Sequence, residues 1–420
     1  MTISFRRPGY ACTDHFLDVP LDHADPGGPT IRLYAREVVA PGRQDDDLPW
    51  LLYLQGGPGN KAPRPGASPA AWLGRALRDY RVLLLDQRGT GRSTPANRQT
   101  LPAAPADAAA YLRHFRADSI VRDAELLRRH LIGDRPWSVL GQSFGGFCTV
   151  TYLSLAPEGL REAFITGGLP SLTASPDEWY RTAYLRVLAA NDRYFARYPG
   201  DRDVAARIAG HLAERDERLP TGERLTPRRF QTLGLGLGAS GRFDDLHYLL
   251  EEAFVAGREG AALSDTFLQS AGATVSYAAQ PLYALIHEAC VCDGTASNWS
   301  AQRVREEFPE FDAEPFTFVG EMIYPWFFEE DPALTPLRET ADLLASYEWP
   351  ALYDPDTLAA NTVPVAAAVY YDDMYVDRDF SLETARVIPG CRTWITSEHA
   401  HNGLSADPRV LDHLLTLIHI

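Results

Sequence analysis

The sequence predicts an α/β fold with a mostly parallel sheet and a helical insert between two halves of that sheet. Almost fully apolar runs at 50–54, 80–85 and 137–140 suit parallel strands, because alternation disappears when both faces of a strand are covered. Between the second and third runs, Val and Leu recur at roughly helical spacing over 121–131. Such runs are missing from about 170 to 353 and resume afterwards, which indicates an insert.

The chain before the first apolar run predicts two further strands, at 14–19 and 30–39. The stretch 22–29 between them is rich in Asp, Pro and Gly, which is typical of a hairpin connection. After the insert, strands are predicted at 363–371 and 392–397.

Helices account for most of the insert and for the end of the chain. Their predicted ranges are 176–198, 201–215, 227–235, 244–256 and, after the last strand, 408–418. The predicted domains are therefore a first sheet half over 1–170, a helical cap domain over 171–354 and a second sheet half over 355–420.

Composition excludes several classes of protein. The net charge of −16 argues against nucleic acid or an anionic membrane as partner, since both need clustered positive charge. The sequence contains no run of about 18 apolar residues, so no membrane span is predicted. The five cysteines are odd in number and scattered, and Cys290 and Cys292 lie too close for the usual zinc pairing, so we expect a cytoplasmic protein with no metal site.

The segment 141–145, Gly-Gln-Ser-Phe-Gly, matches G-x-S-x-G directly after the apolar run ending at Leu140. A strand that delivers a serine into a tight turn before a helix is the nucleophile elbow of α/β-hydrolases. The glycines are needed because the serine backbone is strained and neighbouring chains approach closely. Ser143 is therefore the candidate nucleophile.

A nucleophilic serine needs a histidine base and an acid, which follow later strands in the order Ser, Asp or Glu, His. Asp372 and Asp373 follow the strand predicted at 363–371, and we favour Asp373 because it lies one residue further past the strand. His399 and His401 follow the next strand. We favour His401 because the adjacent Asn-Gly turn would let its ring swing toward the serine.

Oxyanion stabilisation needs backbone N–H groups that point at the developing charge. The glycine-rich segment 55–59 follows the first apolar run, so Gly57 (or Gly56) and Phe144 are the expected donors. The segment 86–93, Asp-Gln-Arg-Gly-Thr-Gly-Arg-Ser, contains G-x-G but lacks the third glycine of a dinucleotide site, and we interpret it as a structural turn.

Together, Gln-Gly-Gly-Pro-Gly, Asp-Gln-Arg-Gly-Thr-Gly-Arg-Ser and Gly-Gln-Ser-Phe-Gly-Gly, in that order, resemble the proline iminopeptidase (prolyl aminopeptidase) family of α/β-hydrolases. The resemblance covers 10–170 and 355–420 well and is looser through the insert. Many members have His where this chain has Gln55. The resemblance implies hydrolysis of an unblocked N-terminal residue, most often proline, from short peptides.

The resemblance also implies glutamates on the helical cap that bind the substrate's α-ammonium group. Glu288 and Glu321 both stand in mostly apolar stretches, which is unusual for surface glutamates. The aromatic run 324–328 could wall a pocket for a proline ring, so Tyr324 and Trp326 join the predicted substrate site. The alternative is that the aromatic residues form cap core and the glutamates cap helices.

The sequence thus predicts a serine aminopeptidase that needs no metal or organic cofactor. An esterase, amidase or lactonase with the same triad is the main alternative, because the fold and triad do not determine the acyl group. A binding protein that kept the fold without turnover is a second alternative, disfavoured by the intact Ser, Asp and His. The oligomeric state is not predicted.

Overall fold

A computed structural model describes residues 3–66, 70–258 and 260–420. Within this part of the chain, nine strands form one sheet in the order β1-β2-β3-β5-β4-β6-β7-β10-β11, and β8 pairs with β9 in a separate hairpin. The strands are β1 (Ile3–Arg7), β2 (Tyr10–Pro20), β3 (Thr30–Val39), β4 (Trp50–Leu54), β5 (Arg81–Asp86), β6 (Trp137–Gln142), β7 (Leu160–Thr166), β8 (Phe254–Gly257), β9 (Gly260–Leu263), β10 (Val365–Tyr370) and β11 (Cys391–Thr396).

Helices cover both faces of the sheet and make up most of the chain between β7 and β10. They are α1 (Ala71–Ala76), α2 (Pro105–Leu112), α3 (Ala117–Ile132), α4 (Phe144–Leu155), α5 (Pro176–Arg197), α6 (Asp201–Glu214), α7 (Pro227–Gln231), α8 (Arg242–Glu251), α9 (Asp265–Val275), α10 (Pro281–Ile286), α11 (Ser300–Arg305), α12 (Phe327–Glu330), α13 (Arg338–Ala345), α14 (Pro355–Ala359), α15 (Arg378–Val387), α16 (Gly403–Ala406) and α17 (Arg409–Leu417). No helix of the described residues is long and apolar enough to cross a membrane.

The sheet is antiparallel at one edge and parallel elsewhere. Neighbouring strands pair antiparallel from β1 through β2 and β3 to β5. Neighbouring strands in the remaining order β5-β4-β6-β7-β10-β11 pair in parallel. The predicted hairpin at 14–19 and 30–39 is the pair β2–β3, whose register sets Leu17 opposite Leu33. This arrangement confirms the predicted α/β class with a mostly parallel sheet.

The apolar runs form strands because each is buried on both faces. In β4, Leu52 and Leu54 pack into one core with α3 and α4, while Leu51 and Tyr53 pack into a second core with α1 and α17. Parallel pairing also brings the carboxyl ends of β4, β6, β7 and β10 to one edge of the sheet. The loops that follow these strands therefore meet at that edge.

The segment 86–93 forms the turn predicted after β5. Its Arg88 side chain is fully buried, and Arg88 Nε donates to Asp123 Oδ2 on α3 at 2.7 Å. A buried charge needs such a partner. The segment therefore ties the loop after β5 to the helix layer.

The chain between β7 and β10, residues 167–364, adds no strand to the large sheet, and we call it the helical insert. The predicted cap boundaries, 171 and 354, stay predictions, because they lie within the segment 167–364 but its limits do not define where a cap domain begins and ends. The helix predicted at 227–235 ends earlier, and a 3₁₀ helix, Thr232–Gly238, continues from it. A Cβ on Gly234 would overlap Phe318 Cβ, so tight packing explains that glycine.

The segment 244–263 and the strand β1 also differ from the sequence prediction. The helix predicted at 244–256 ends at Glu251, and the hairpin β8–β9 follows it. Strand β1 was not predicted. Both β1 and β8 are largely exposed, so neither carries the buried apolar run that predicts the other strands.

Candidate active site

Ser143 lies at the junction of β6 and α4 with strained backbone. Its φ of +56° and ψ of −125° are rarely adopted by residues other than glycine. Its N–H donates to Thr166 O on β7 at 3.0 Å, which holds the turn against the neighbouring strand. A Cβ on Gly145 would overlap Leu54 O, and a Cβ on Gly141 would overlap Gly145 O. The glycines of the motif are therefore required by close backbone contact.

Asp373 and His401 lie together in the loops after β10 and β11. His401 Nδ1 is 2.8 Å from Asp373 Oδ2, and both side chains are buried. The other carboxylate oxygen of Asp373 accepts from the N–H groups of Tyr375 at 2.9 Å and Val376 at 3.0 Å. These bonds fix the carboxylate and leave His401 Nε2 free to act as a base.

The alternative residues have other neighbours. Asp372 is half exposed and lies 3.7 Å from the Arg193 guanidinium. His399 Nε2 lies 3.9 Å from Asp407 Oδ2. Neither forms the pair seen between Asp373 and His401.

Asp373 also changes the proton affinity of His401. Burial lowers the pKa of His401, but the charge of Asp373 and its hydrogen bond, together with the charge of Glu321, outweigh burial and raise that pKa above 6.5. The site therefore stabilises the imidazolium form that a general base passes through.

Ser143 and His401 lie on two sides of the glycine pair that follows β7. A Cβ on Gly167 would come 3.1 Å from His401 Nδ1, and a Cβ on Gly168 would overlap Ser143 O. Ser143 Oγ and His401 are not hydrogen-bonded in this structure. Such bonds are often long in enzymes without substrate and tighten when it binds.

The candidate oxyanion donors lie in the same loops. A Cβ on Gly56 would come 2.8 Å from Ser143 Cβ, and Gly57 has a φ of +140°, a left-handed conformation that favours glycine. Because Phe144 is the first residue of α4, its N–H has no acceptor within the helix. Gly57 and Phe144 both line the cavity into which Ser143 opens.

This cavity lies between the sheet edge and the helical insert. One part of its wall is apolar, including Phe147, Trp179, Met322, Met374 and Val376. Trp179 is held by an edge-on contact with Phe147 at 5.7 Å and by stacking on Phe380 at 5.9 Å. The cavity thus combines the nucleophile with a rigid apolar surface.

Glu321 is the carboxylate in this cavity wall. Its side chain is 22% exposed, its Oε1 accepts from Tyr283 OH, and its Oε2 lies 3.8 Å from His287 Nε2. Burial alone would raise the pKa of Glu321, but His287, Tyr283 and the charge of His401 together lower it below its usual value. The cavity therefore presents a negative charge.

The other predicted substrate residues do not line this cavity. Glu288 is buried, and its Oε1 accepts from Ala301 N in the first turn of α11 at 2.9 Å. Burial raises the pKa of Glu288. Tyr324 OH is 2.9 Å from Tyr184 OH, and the Tyr324 ring stacks on Trp326 at 5.3 Å. The structure places these three residues in the core of the insert.

Comparison with known proteins identifies the family. A model of the alpha/beta hydrolase fold matches residues 49–235. The chain is 51% identical over 416 residues to a proline iminopeptidase of Aeromonas sobria, with 97% of each chain covered. It is 36% identical to a proline iminopeptidase of Aspergillus aculeatus, covering 94% of this chain and 91% of the fungal protein. The chain belongs to the proline iminopeptidase family.

A crystal structure of a proline iminopeptidase from Mycobacterium smegmatis is 16% identical to this family member and aligns with a TM-score of 0.47, covering 96% of this chain and 98% of that chain. In the part of the present chain that the structure describes, no group of three or more His, Cys, Asp or Glu side chains is arranged to hold a metal ion.

Several residues that shape the site in this family member were not predicted. His287, Trp179 and Met374 line the cavity, and Tyr375 packs edge-on against His401 at 4.7 Å. His401 N donates to Gly238 O of the insert at 3.1 Å. Met374 and Tyr375 lie within two residues of Asp373, which is the one signal in the sequence; the positions of His287 and Trp179 depend on how the insert folds.

Proposed function

We propose that this protein is a serine aminopeptidase that releases an unblocked N-terminal residue, most often proline, from short peptides. The observation that carries the proposal is the Glu321 carboxylate in the wall of the cavity that contains Ser143. A substrate ammonium group that leaves water needs a compensating charge, and Glu321 supplies one. The proline iminopeptidase relatives support proline as the preferred residue.

In the proposed reaction, Ser143 Oγ attacks the carbonyl carbon of the first residue while His401 takes its proton. Asp373 holds the imidazole with Nδ1 protonated and favours the imidazolium form. His401 then protonates the leaving amine, and the acyl-enzyme remains. Water activated by His401 hydrolyses that ester and regenerates Ser143.

The N–H groups of Gly57 and Phe144 are proposed to hold the oxyanion of each tetrahedral intermediate. One such donor is worth about 3 kcal/mol of transition-state stabilisation. Both groups belong to backbone that is fixed before substrate arrives, the first by a left-handed glycine and the second by the start of α4. Little reorganisation is then needed during the reaction.

Glu321 is proposed to bind the prolyl ammonium through Oε2, because Oε1 already accepts from Tyr283 OH. His287, which also lines the cavity, has its Nε2 3.8 Å from Glu321 Oε2, and its Nδ1 is 3.2 Å from Tyr180 OH. The pyrrolidine ring would lie against Trp179 and Phe147. The helical insert, over about 171–354, would thus act as a cap domain that recognises the first residue of the substrate.

Nucleophile, base and oxyanion donors all come from the chain itself, so we propose a reaction that needs no metal or organic cofactor. We also propose a cytoplasmic location. The five cysteines are all unpaired, four of them buried, which suits a reducing compartment.

The test compares prolyl 2-naphthylamide with its N-acetylated form. The proposal predicts that acetylation lowers kcat/KM by at least about 100-fold, because it removes the charge that Glu321 pairs with. Equal rates on both substrates would contradict the aminopeptidase assignment and favour an amidase or esterase.

A further inference from the structure

A second, larger depression opens beside the candidate active site. This groove, of about 2,080 Å³, lies between the loops that follow β4 and β5 and the start of α10 in the helical insert. Gln55 and Gly59, on either side of Gly57 in the chain, line it. On the other wall, Pro281 and Leu282 belong to α10. The groove thus begins at the loop that carries a proposed oxyanion donor.

The charge of the groove is opposite to that of the protein. The chain contains 56 Asp and Glu residues against 40 Lys and Arg, yet the charged residues among the described lining of the groove are Lys61 and Arg98. Neither forms an ion pair with a described residue. A groove lined without described carboxylates, on a protein of net charge −16, selects an anionic group from solution.

Lys61 is the single lysine of the chain and is well placed to receive such a group. Its Cβ lies close to the loop after β5, since a Cβ on Gly91 would come 2.9 Å from Lys61 Cβ. Three residues separate it from Gly57, so its Cα lies at most about 14 Å from that of Gly57. An extended peptide of about four residues spans even that maximum, so a short peptide is long enough to reach Lys61.

Amide side chains near the mouth of the groove can bind a peptide backbone. Gln55 Oε1 accepts from Tyr53 OH at 3.0 Å, which leaves the Gln55 amide N–H groups available to a ligand. Gln280, at the start of α10, also lines the groove. Amide donors in a groove that also contains a lysine match the polar groups of a short peptide with a free carboxylate.

We propose that this groove binds the leaving part of the substrate and that Lys61 pairs with its C-terminal carboxylate. The inference rests on the proposed function and adds a substrate class to it: peptides with two or three residues after the scissile bond and a free C-terminus. A blocked or much longer peptide loses the ion pair because its carboxylate is absent or out of reach.

The test measures kcat/KM for Pro-Gly-Gly and for its C-terminal amide, with release of proline as the readout. The wild type is expected to prefer the free acid by about fivefold, as for a partly exposed ion pair. Lys61→Gln is expected to bring the ratio of the two substrates close to one, and Lys61→Arg is expected to retain the preference. Arg135→Gln, at an exposed ion pair with Asp47, serves as the matched control and should keep the wild-type ratio.

A ratio near one in the wild type, or a wild-type ratio that survives in Lys61→Gln, would overturn the inference. Prolyl naphthylamide has no peptide after its scissile bond, so its hydrolysis tests the proposed function alone. Wild-type protein that cleaves the naphthylamide but does not distinguish acid from amide refutes the groove assignment and leaves the aminopeptidase proposal standing.

Discussion

Glu288 and Glu321 stand in similar apolar stretches of the helical insert, yet their surroundings differ. Glu321 opens onto the cavity of Ser143, and His287 and Tyr283 contribute to a lowered pKa. Glu288 accepts from Ala301 N at the start of α11, and burial raises its pKa. The difference teaches that the partners of a shielded carboxylate decide whether its charged or its protonated form is favoured.

The comparison depends on the cavity beside Glu321 being catalytic, which Ser143→Ala tests. We expect kcat on prolyl naphthylamide to fall by about 10⁶-fold, as when a triad serine is removed. Thermal unfolding should be nearly unchanged, since the backbone hydrogen bond to Thr166 remains. Activity close to wild type would place the chemistry elsewhere and remove the functional meaning of Glu321.

The next largest effect is expected for Asp373→Asn, which should lower kcat by about 10⁴-fold through loss of the correct imidazole tautomer. The pKa of His401 is raised above its usual value, so wild-type kcat/KM is predicted to fall as the pH drops through that raised pKa, because protonated His401 cannot accept the Ser143 proton. In the variant, burial acts without the opposing charge of Asp373, so the acid limb should shift to lower pH. An acid limb that does not move would argue against this pairing.

Glu321→Gln removes the charge on one side of the comparison and preserves the shape. We expect kcat/KM for prolyl naphthylamide to fall by about 100-fold, because the substrate ammonium is left in the cavity without its partner. Hydrolysis of 4-nitrophenyl acetate, which carries no amine, should change by less than about threefold. Equal losses on the two substrates would indicate a structural role for Glu321.

Glu288→Gln makes the same chemical change on the other side and should have the smallest effect on activity, within about twofold. The raised pKa means that folded Glu288 holds its proton more tightly than the unfolded chain, so its contribution to stability is present at low pH and lost as pH rises through the folded pKa. The variant, always neutral, should therefore gain stability relative to wild type between pH 4 and pH 7 in denaturant unfolding. A loss of stability relative to wild type over that pH range would contradict the raised pKa assigned to Glu288.

The positions of residues at strand ends and in tight turns could be predicted from the sequence. Ser143 and Asp373 each follow a buried strand and His401 follows the outermost strand β11, and parallel pairing necessarily brings such residues to one edge of the sheet. The structure places Asp373 and His401 in contact there, and their catalytic roles remain proposals. The close backbone contact at Gly145 was likewise predictable, because the G-x-S-x-G motif places a glycine there.

The substrate cavity was harder to predict because it is built by contacts between distant parts of the chain. The aromatic run 324–328 contains Tyr324 and Trp326, which pack on each other within the insert. The cavity wall instead takes Trp179 from α5 and Met374 from the loop after β10. His287 lines the cavity and the adjacent Glu288 does not, and local pattern alone does not show which of the two meets the cavity.

The most direct test of the account is the ratio of kcat/KM for prolyl naphthylamide to that for its N-acetylated form, measured in wild type, Glu321→Gln and Glu288→Gln. The account predicts a large ratio in wild type and Glu288→Gln and a ratio reduced by about 100-fold in Glu321→Gln. A ratio that falls in Glu288→Gln and persists in Glu321→Gln would contradict it.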